Sequence, residues 1–277
     1  MFKTFFISEL RYRFKQPMVY IFLLIITLLV CLNVVLGNLP GNLLKDSPDA
    51  VTKPVIMYTL IGLFVAAAFF NNAALKDYSN GFNEILFSTP LSKRGFYFGR
   101  FLGALVISAV PFLGVFLGVL LGSIIGPLSG EVDASQFGGL SLMTIVIDYV
   151  MFIFPNMFIG GAIIFAVAVK WRSTVVSFVG AMVILIAYMV SGSLLSDVDN
   201  ETLGALLDTF GIRTYDNYTK YYTVLEKNTL YPKFEGVLLI NRVFWLAMGI
   251  LILAVSYFSF SFQIKNKKEK KIITSSS

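Results

Sequence analysis

The feature that most constrains this chain is the length of its apolar blocks. A helix needs about 20 apolar residues to cross roughly 30 Å of hydrocarbon, and six stretches qualify: 18–36, 55–75, 101–122, 142–169, 174–195 and 243–262. With 57% apolar and 14% charged residues over 277 positions, the chain has little more than half the charge of a soluble domain, where about a quarter is usual. Twenty-seven Phe and 13 Tyr rule out disorder, because that much apolar surface does not stay solvated. The expected fold class is all-α, a polytopic membrane protein with six transmembrane helices. The first block follows basic residues but is too long for a secretory h-region and lacks a small-residue cleavage pattern, so it reads as an uncleaved span.

Lysine and arginine set the expected orientation. If the N-terminus faces inward, the inner segments 1–17, 76–100, 170–173 and 263–277 carry fifteen of the 22 basic residues, and the outer segments carry seven. Acids run the other way, with four inside and eleven outside. Both termini are therefore expected in the cytoplasm. The net charge of +6 reads as a topology signal and a contact surface for anionic membrane lipids, with no need for nucleic acid.

Several chemistries are closed to this chain. It has no histidine, so zinc-peptidase motifs and Ser-His-Asp triads are excluded. One cysteine, Cys31, cannot make an internal disulfide framework. No Gly-x-x-x-x-Gly-Lys-Ser/Thr run is present, so any ATP chemistry must come from another chain. No catalytic residue, metal ligand or resident cofactor is expected, and the chain reads as a non-enzymatic subunit.

Four features stand out. In segment 1–17, Phe2, Phe6, Leu10 and Phe14 form one i+4 row, with Arg11 and Lys15 opposite. This suits a helix lying in the membrane interface, with Lys3 and Arg13 snorkelling from near its apolar side, and Pro17 marks the turn into the first span. The loop 76–100 embeds an apolar cluster, Phe82, Ile85, Leu86 and Phe87, between charged ends before stopping at Pro90; a short amphipathic helix there presents a knob suited to a groove on a partner. Gly114, Gly118 and Gly122 share one helical face and permit close packing, against a span of the same chain or along a dimer seam. Asp148, with Asn156 two turns on, places a carboxylate in the fourth block, at the outer interface in water or lining a cavity. Pro155 in that block predicts a kink.

Asp77, Gly81, Glu84, the Ser-Thr-Pro-Leu at 88–91, Arg94 and Gly99-Arg100 resemble the coupling segment of type-2 ATP-binding-cassette permeases. The likeness extends in outline to the whole chain: an interfacial elbow helix at 1–17, a six-span permease domain at 18–262, a coupling loop at 76–100, a large outer loop at 196–236 and a basic tail at 263–277. It implies a second permease copy or half, and a cytosolic ATP-binding-cassette ATPase that carries ATP and magnesium. It also implies an exporter in the bacterial inner membrane. The runs Phe210-Gly-Ile-Arg213, 220–228 and 236–242 are similar to the permease half found at the front of bacterial permease/zinc-aminopeptidase fusion chains. Two other readings stay open: a non-transporting membrane anchor, or first half of such a fusion, and a secondary transporter or channel.

Overall fold

The computed structural model describes residues 1–79, 81, 90–194 and 201–261, and every regular element among them is helical. In chain order these are α1 (Phe2–Phe14), α2 (Pro17–Leu36), α3 (Pro48–Ser79), α4 (Lys93–Ala109), α5 (Leu113–Ser129), α6 (Leu142–Asp148), α7 (Phe154–Trp171), α8 (Thr174–Leu194), α9 (Glu201–Leu207), α10 (Ile212–Tyr218), α11 (Val224–Thr229) and α12 (Gly236–Ser259). A 3-10 turn, Val110–Phe112, joins α4 to α5, and a π-helical turn, Tyr149–Ile153, joins α6 to α7.

Five of these helical stretches are long and apolar enough to cross a membrane: Pro17–Leu36, Pro48–Tyr78, Lys93–Ser129, Leu142–Trp171 and Gly236–Ser259. Their surfaces agree with that environment. On α2 the side chains of Leu24, Leu28 and Leu32 are each more than half exposed, while Val19, Val30 and Val34 are buried. A helix apolar on both faces finds no favourable place at a water boundary. The helix α8 stands where the fifth apolar block falls, and Thr174–Val190 is its described apolar part.

Four boundaries depart from the hydropathy reading by seven or eight residues; two of them are the start of α3, at Pro48 rather than 55, and the end of α5, at Ser129 rather than 122. The third long helix starts at Lys93, eight residues before the predicted block, because Lys93, Arg94 and Arg100 lower the local hydropathy without ending the helix. At 37 residues, Lys93–Ser129 runs about 55 Å, well beyond a hydrocarbon core of about 30 Å. The last helix starts at Gly236 rather than 243, which puts Arg242 inside it and buried instead of in an outer loop. In the fourth block the wide turn Tyr149–Ile153 directly precedes Pro155. The extra backbone room accommodates a residue that can donate no hydrogen bond.

An aromatic cluster ties α4, α7 and α12 together. Tyr97 meets Phe165, Tyr257 and Phe260 edge-on or tilted at 5.1, 5.4 and 5.8 Å between ring centres. Phe101 does the same with Phe70, Phe158 and Phe165 at 5.1, 5.7 and 5.5 Å. Such pairs add to the area they bury. At the end of the bundle away from α1, the short helices α9 to α11 close over α3 and α12. Asn228 joins them to the α2–α3 loop, accepting from the Leu44 amide at 2.9 Å and donating to the Asn42 carbonyl at 3.0 Å.

Candidate functional site

The segment 80–89 is flanked by the end of α3 and the start of α4, and its base is built from buried charge. Arg100 on α4 donates to Asp77 on α3 at 2.5 Å and to the Ala73 carbonyl at 3.3 Å. Glu9 on α1 accepts from Lys76 at 2.6 Å and from Arg13 at 2.6 Å, with Arg100 3.7 Å away. Arg13 also donates to Asn72 at 3.3 Å. Glu9, Arg13, Asp77 and Arg100 are all buried. Charged side chains are rarely buried unless paired, and here three cations enclose two carboxylates. Aromatic faces line the cations: Arg100 lies over Phe96 at 4.9 Å, Lys76 over Tyr12 at 4.6 Å and Arg13 over Phe69 at 5.6 Å.

Burial alone would raise the Glu9 carboxyl, but Arg13, Lys76 and Arg100 outweigh it and hold it below its ordinary value. Burial pulls the Arg13 guanidinium down, against the opposing attraction of Glu9. Arg13 therefore corrects the expectation of a snorkelling side chain: it turns inward because Glu9, one turn earlier, supplies its counter-charge. The buried side of α1 is defined by Glu9 and Arg13, whereas Phe2 and Phe14 of the predicted aromatic row stay largely exposed.

Of the residues expected to couple to a partner, Asp77 is fixed as above. Gly81 has φ +67° and accepts no Cβ without strain. Pro90 and Arg94 are exposed. Ser92 caps α4, accepting from the Gly95 amide at 3.2 Å. Phe82, Glu84, Ile85, Leu86 and Phe87 lie outside the described residues.

The predicted glycine row faces α2. A Cβ on Gly114 would stand 2.6 Å from the Leu23 carbonyl oxygen, on Gly118 2.7 Å from that of Thr27, and on Gly122 2.6 Å from Val34 Cγ1. A second row of the same spacing, Gly95, Gly99 and Gly103, escaped the sequence reading. A Cβ there would meet the Phe2 amide nitrogen at 3.1 Å, Phe5 Cβ at 2.8 Å and Glu9 Cβ at 2.8 Å. Its signal was the i+4 repetition itself, set among the charges that hid the start of α4. The first two helices of the chain thus run side by side with one continuous helical stretch, α1 on α4 and α2 on α5.

Asp148 and Asn156 part company. Asp148 is wholly buried and accepts from the Thr52 hydroxyl at 2.8 Å, which corrects the alternative of a water-exposed interfacial carboxylate: packing against α3 covers it. Asn156 donates to Thr59 at 2.7 Å and to the Phe210 carbonyl at 2.8 Å, and accepts from Arg242 at 2.8 Å. The Arg242 guanidinium, 1% exposed, also donates to Asn241 Oδ1 at 2.9 and 2.6 Å. Asn241 in turn donates to the carbonyls of Ala205, Leu206 and Asp208. Asp208 accepts from Tyr188 at 2.8 Å and from the amides of Phe210, Arg213 and Thr214. Arg213 donates to the Gly192 carbonyl. The Phe210-Gly-Ile-Arg213 run is therefore the fastening between the loop helices and the spans.

Among the described residues no three Asp, Glu or Cys side chains converge in a metal-holding group. No protein-family model matches the chain, and no curated protein matches it.

Proposed function

We propose that the chain is the permease subunit of an ATP-binding-cassette transporter, working outward as an exporter. It would lie in a bacterial inner membrane with six spans, an N-terminal elbow helix and cytoplasmic termini. The loop 76–100 serves as the coupling segment, gripped by a cytosolic ATPase that carries ATP and magnesium, and a second permease copy or half completes the translocation path. ATP binding must favour one arrangement of the spans over another for anything to move.

One observation carries the reading. The segment whose residues resemble a coupling motif springs from Asp77 and returns at Arg100, and that pair is buried and bonded at 2.5 Å, with Glu9 of α1 beside it. A force applied to the segment thus reaches α1, α3 and α4 together. The test is affinity purification of the full chain expressed with a cytosolic ATP-binding-cassette ATPase. Alanine at Phe82, Ile85, Leu86 and Phe87 should abolish co-purification while membrane insertion is retained. Undiminished co-purification overturns the reading and leaves the membrane anchor; solute uptake driven by an ion gradient in liposomes without any ATPase favours the secondary transporter.

A further inference from the structure

At the α1 end of the bundle, the last turns of α7 and α12 diverge and leave a cavity of about 460 Å³ between them. Val167 lines it from α7 and Leu251, Ile252 and Val255 from α12, with Ser256, Ser259 and Ser261 following on the α12 side, and Lys170 and Arg172 border it at the end of α7. No acidic side chain lines it among the described residues. A slot that is largely apolar and cationic at one end matches one ligand chemistry: an acyl chain below a phosphate ester.

The backbone adds an independent observation. Arg172 has φ 51° and ψ 39°, and it is the one non-glycine residue with positive φ among those described. It occupies the helix-ending position at which glycine is favoured, yet the chain keeps a guanidinium there, stacked 4.5 Å over Tyr78 of α3. Beside it Trp171 is 55% exposed and receives the Lys170 ammonium 4.7 Å over its ring. An amphipathic ring at that level is where a membrane boundary places tryptophan.

We propose that this groove holds one anionic phospholipid, its phosphate on Lys170 and Arg172 and one acyl chain along Val167 and Val255. The chain's own tail is the less fitting occupant. Lys265, Lys267, Lys268, Lys270 and Lys271 follow Ser261, and their charge is repelled by Lys170 and Arg172 while it adds to the field that draws an anionic lipid. This inference goes beyond the transport reading and holds without it.

The test is native mass spectrometry of the detergent-purified full chain, titrated with phosphatidylglycerol or with phosphatidylcholine of the same chains. Phosphatidylglycerol should be retained in preference. Lys170→Gln and Arg172→Gly should each weaken its retention about fivefold, and together about 25-fold, with phosphatidylcholine unaffected. Lys170 is exposed, so thermal stability should not fall in Lys170→Gln, which separates lost binding from lost folding. Val167→Trp, which fills the slot, should remove binding with both cations in place. Equal retention of the two lipids overturns the proposal. So does a preference that survives the double variant but vanishes when residues 262–277 are deleted, which would assign it to the tail. Competition by soluble glycerol phosphate as strong as that by the lipid would make the site one for a free anion and overturn it equally.

Discussion

Arg100 donates to Asp77 across the base of the 80–89 segment at 2.5 Å, and both side chains are buried. Removing one partner of such a pair strands the other. Arg100→Met should lower stability by about 3–5 kcal/mol. Asp77→Asn combined with Arg100→Met should cost less than the sum of the single changes. Urea unfolding in mixed micelles measures all three, and strict additivity would show that the pair is not coupled.

Glu9 gives α1 a pH-dependent hold. Its carboxyl titrates lower in the folded chain than its ordinary value of 4.5, so the unfolded chain binds its proton first as pH falls. The stability it contributes is fully present above about 4.5 and is lost as pH drops through the folded value. Protection factors of α1 amides, each referenced to intrinsic exchange at the same pH, should therefore fall on acidification below pH 4.5. In Glu9→Gln protection should be low throughout and lose that pH step.

The glycine seams predict a contrast between two similar substitutions. Gly118→Ala places a methyl 2.7 Å from a backbone oxygen on α2, and overpacking of that kind costs about 1–3 kcal/mol. At Gly180 on α8 the nearest side-chain atom is 4.0 Å away, so alanine should be neutral or add up to about 1 kcal/mol. Thermal unfolding of the two variants should move in opposite directions or differ by that margin.

Asn156 is bonded on both its amide atoms. Asn156→Ala leaves an Arg242 N–H without its acceptor inside the bundle, at a cost of about 2–3 kcal/mol. The loss should be felt in the loop as well, since Arg242 and Asn241 carry the carbonyls of 205–210. Limited proteolysis between α9 and α10 should speed up in the variant.

The long helices were legible because apolar blocks of bilayer length have few other solutions; α2 starts within one residue of its predicted block and α6 opens at its predicted residue. The ends were not legible where charge sits inside a helix. Lys93, Arg94 and Arg100 disguised the start of α4, and Arg242 that of α12. Hydropathy counts an arginine as a boundary, whereas pairing with Asp77 or Asn156 lets it be buried. The same blindness hid Glu9 and Arg13: the amphipathic pattern assigns an interfacial face to the phenylalanines of α1, two of which, Phe2 and Phe14, are exposed, and it says nothing of the five charges from three helices that draw Glu9 and Arg13 into the bundle. Asp77 and Arg100 were adjacent to the motif and do meet. Asp148 and Asn156, singled out together, serve different neighbours, Thr52 and Arg242, because tertiary partners are not encoded in spacing along one helix.

Two glycine-lined contacts share a single rod, Lys93–Ser129, the lower holding α1 and the upper α2. Backbones pressed this close leave no slack to be taken up by side-chain rearrangement. Any swing of that rod's charged end must haul the opening 36 residues along as a passenger, so the start of the chain travels with the lever instead of serving as its pivot.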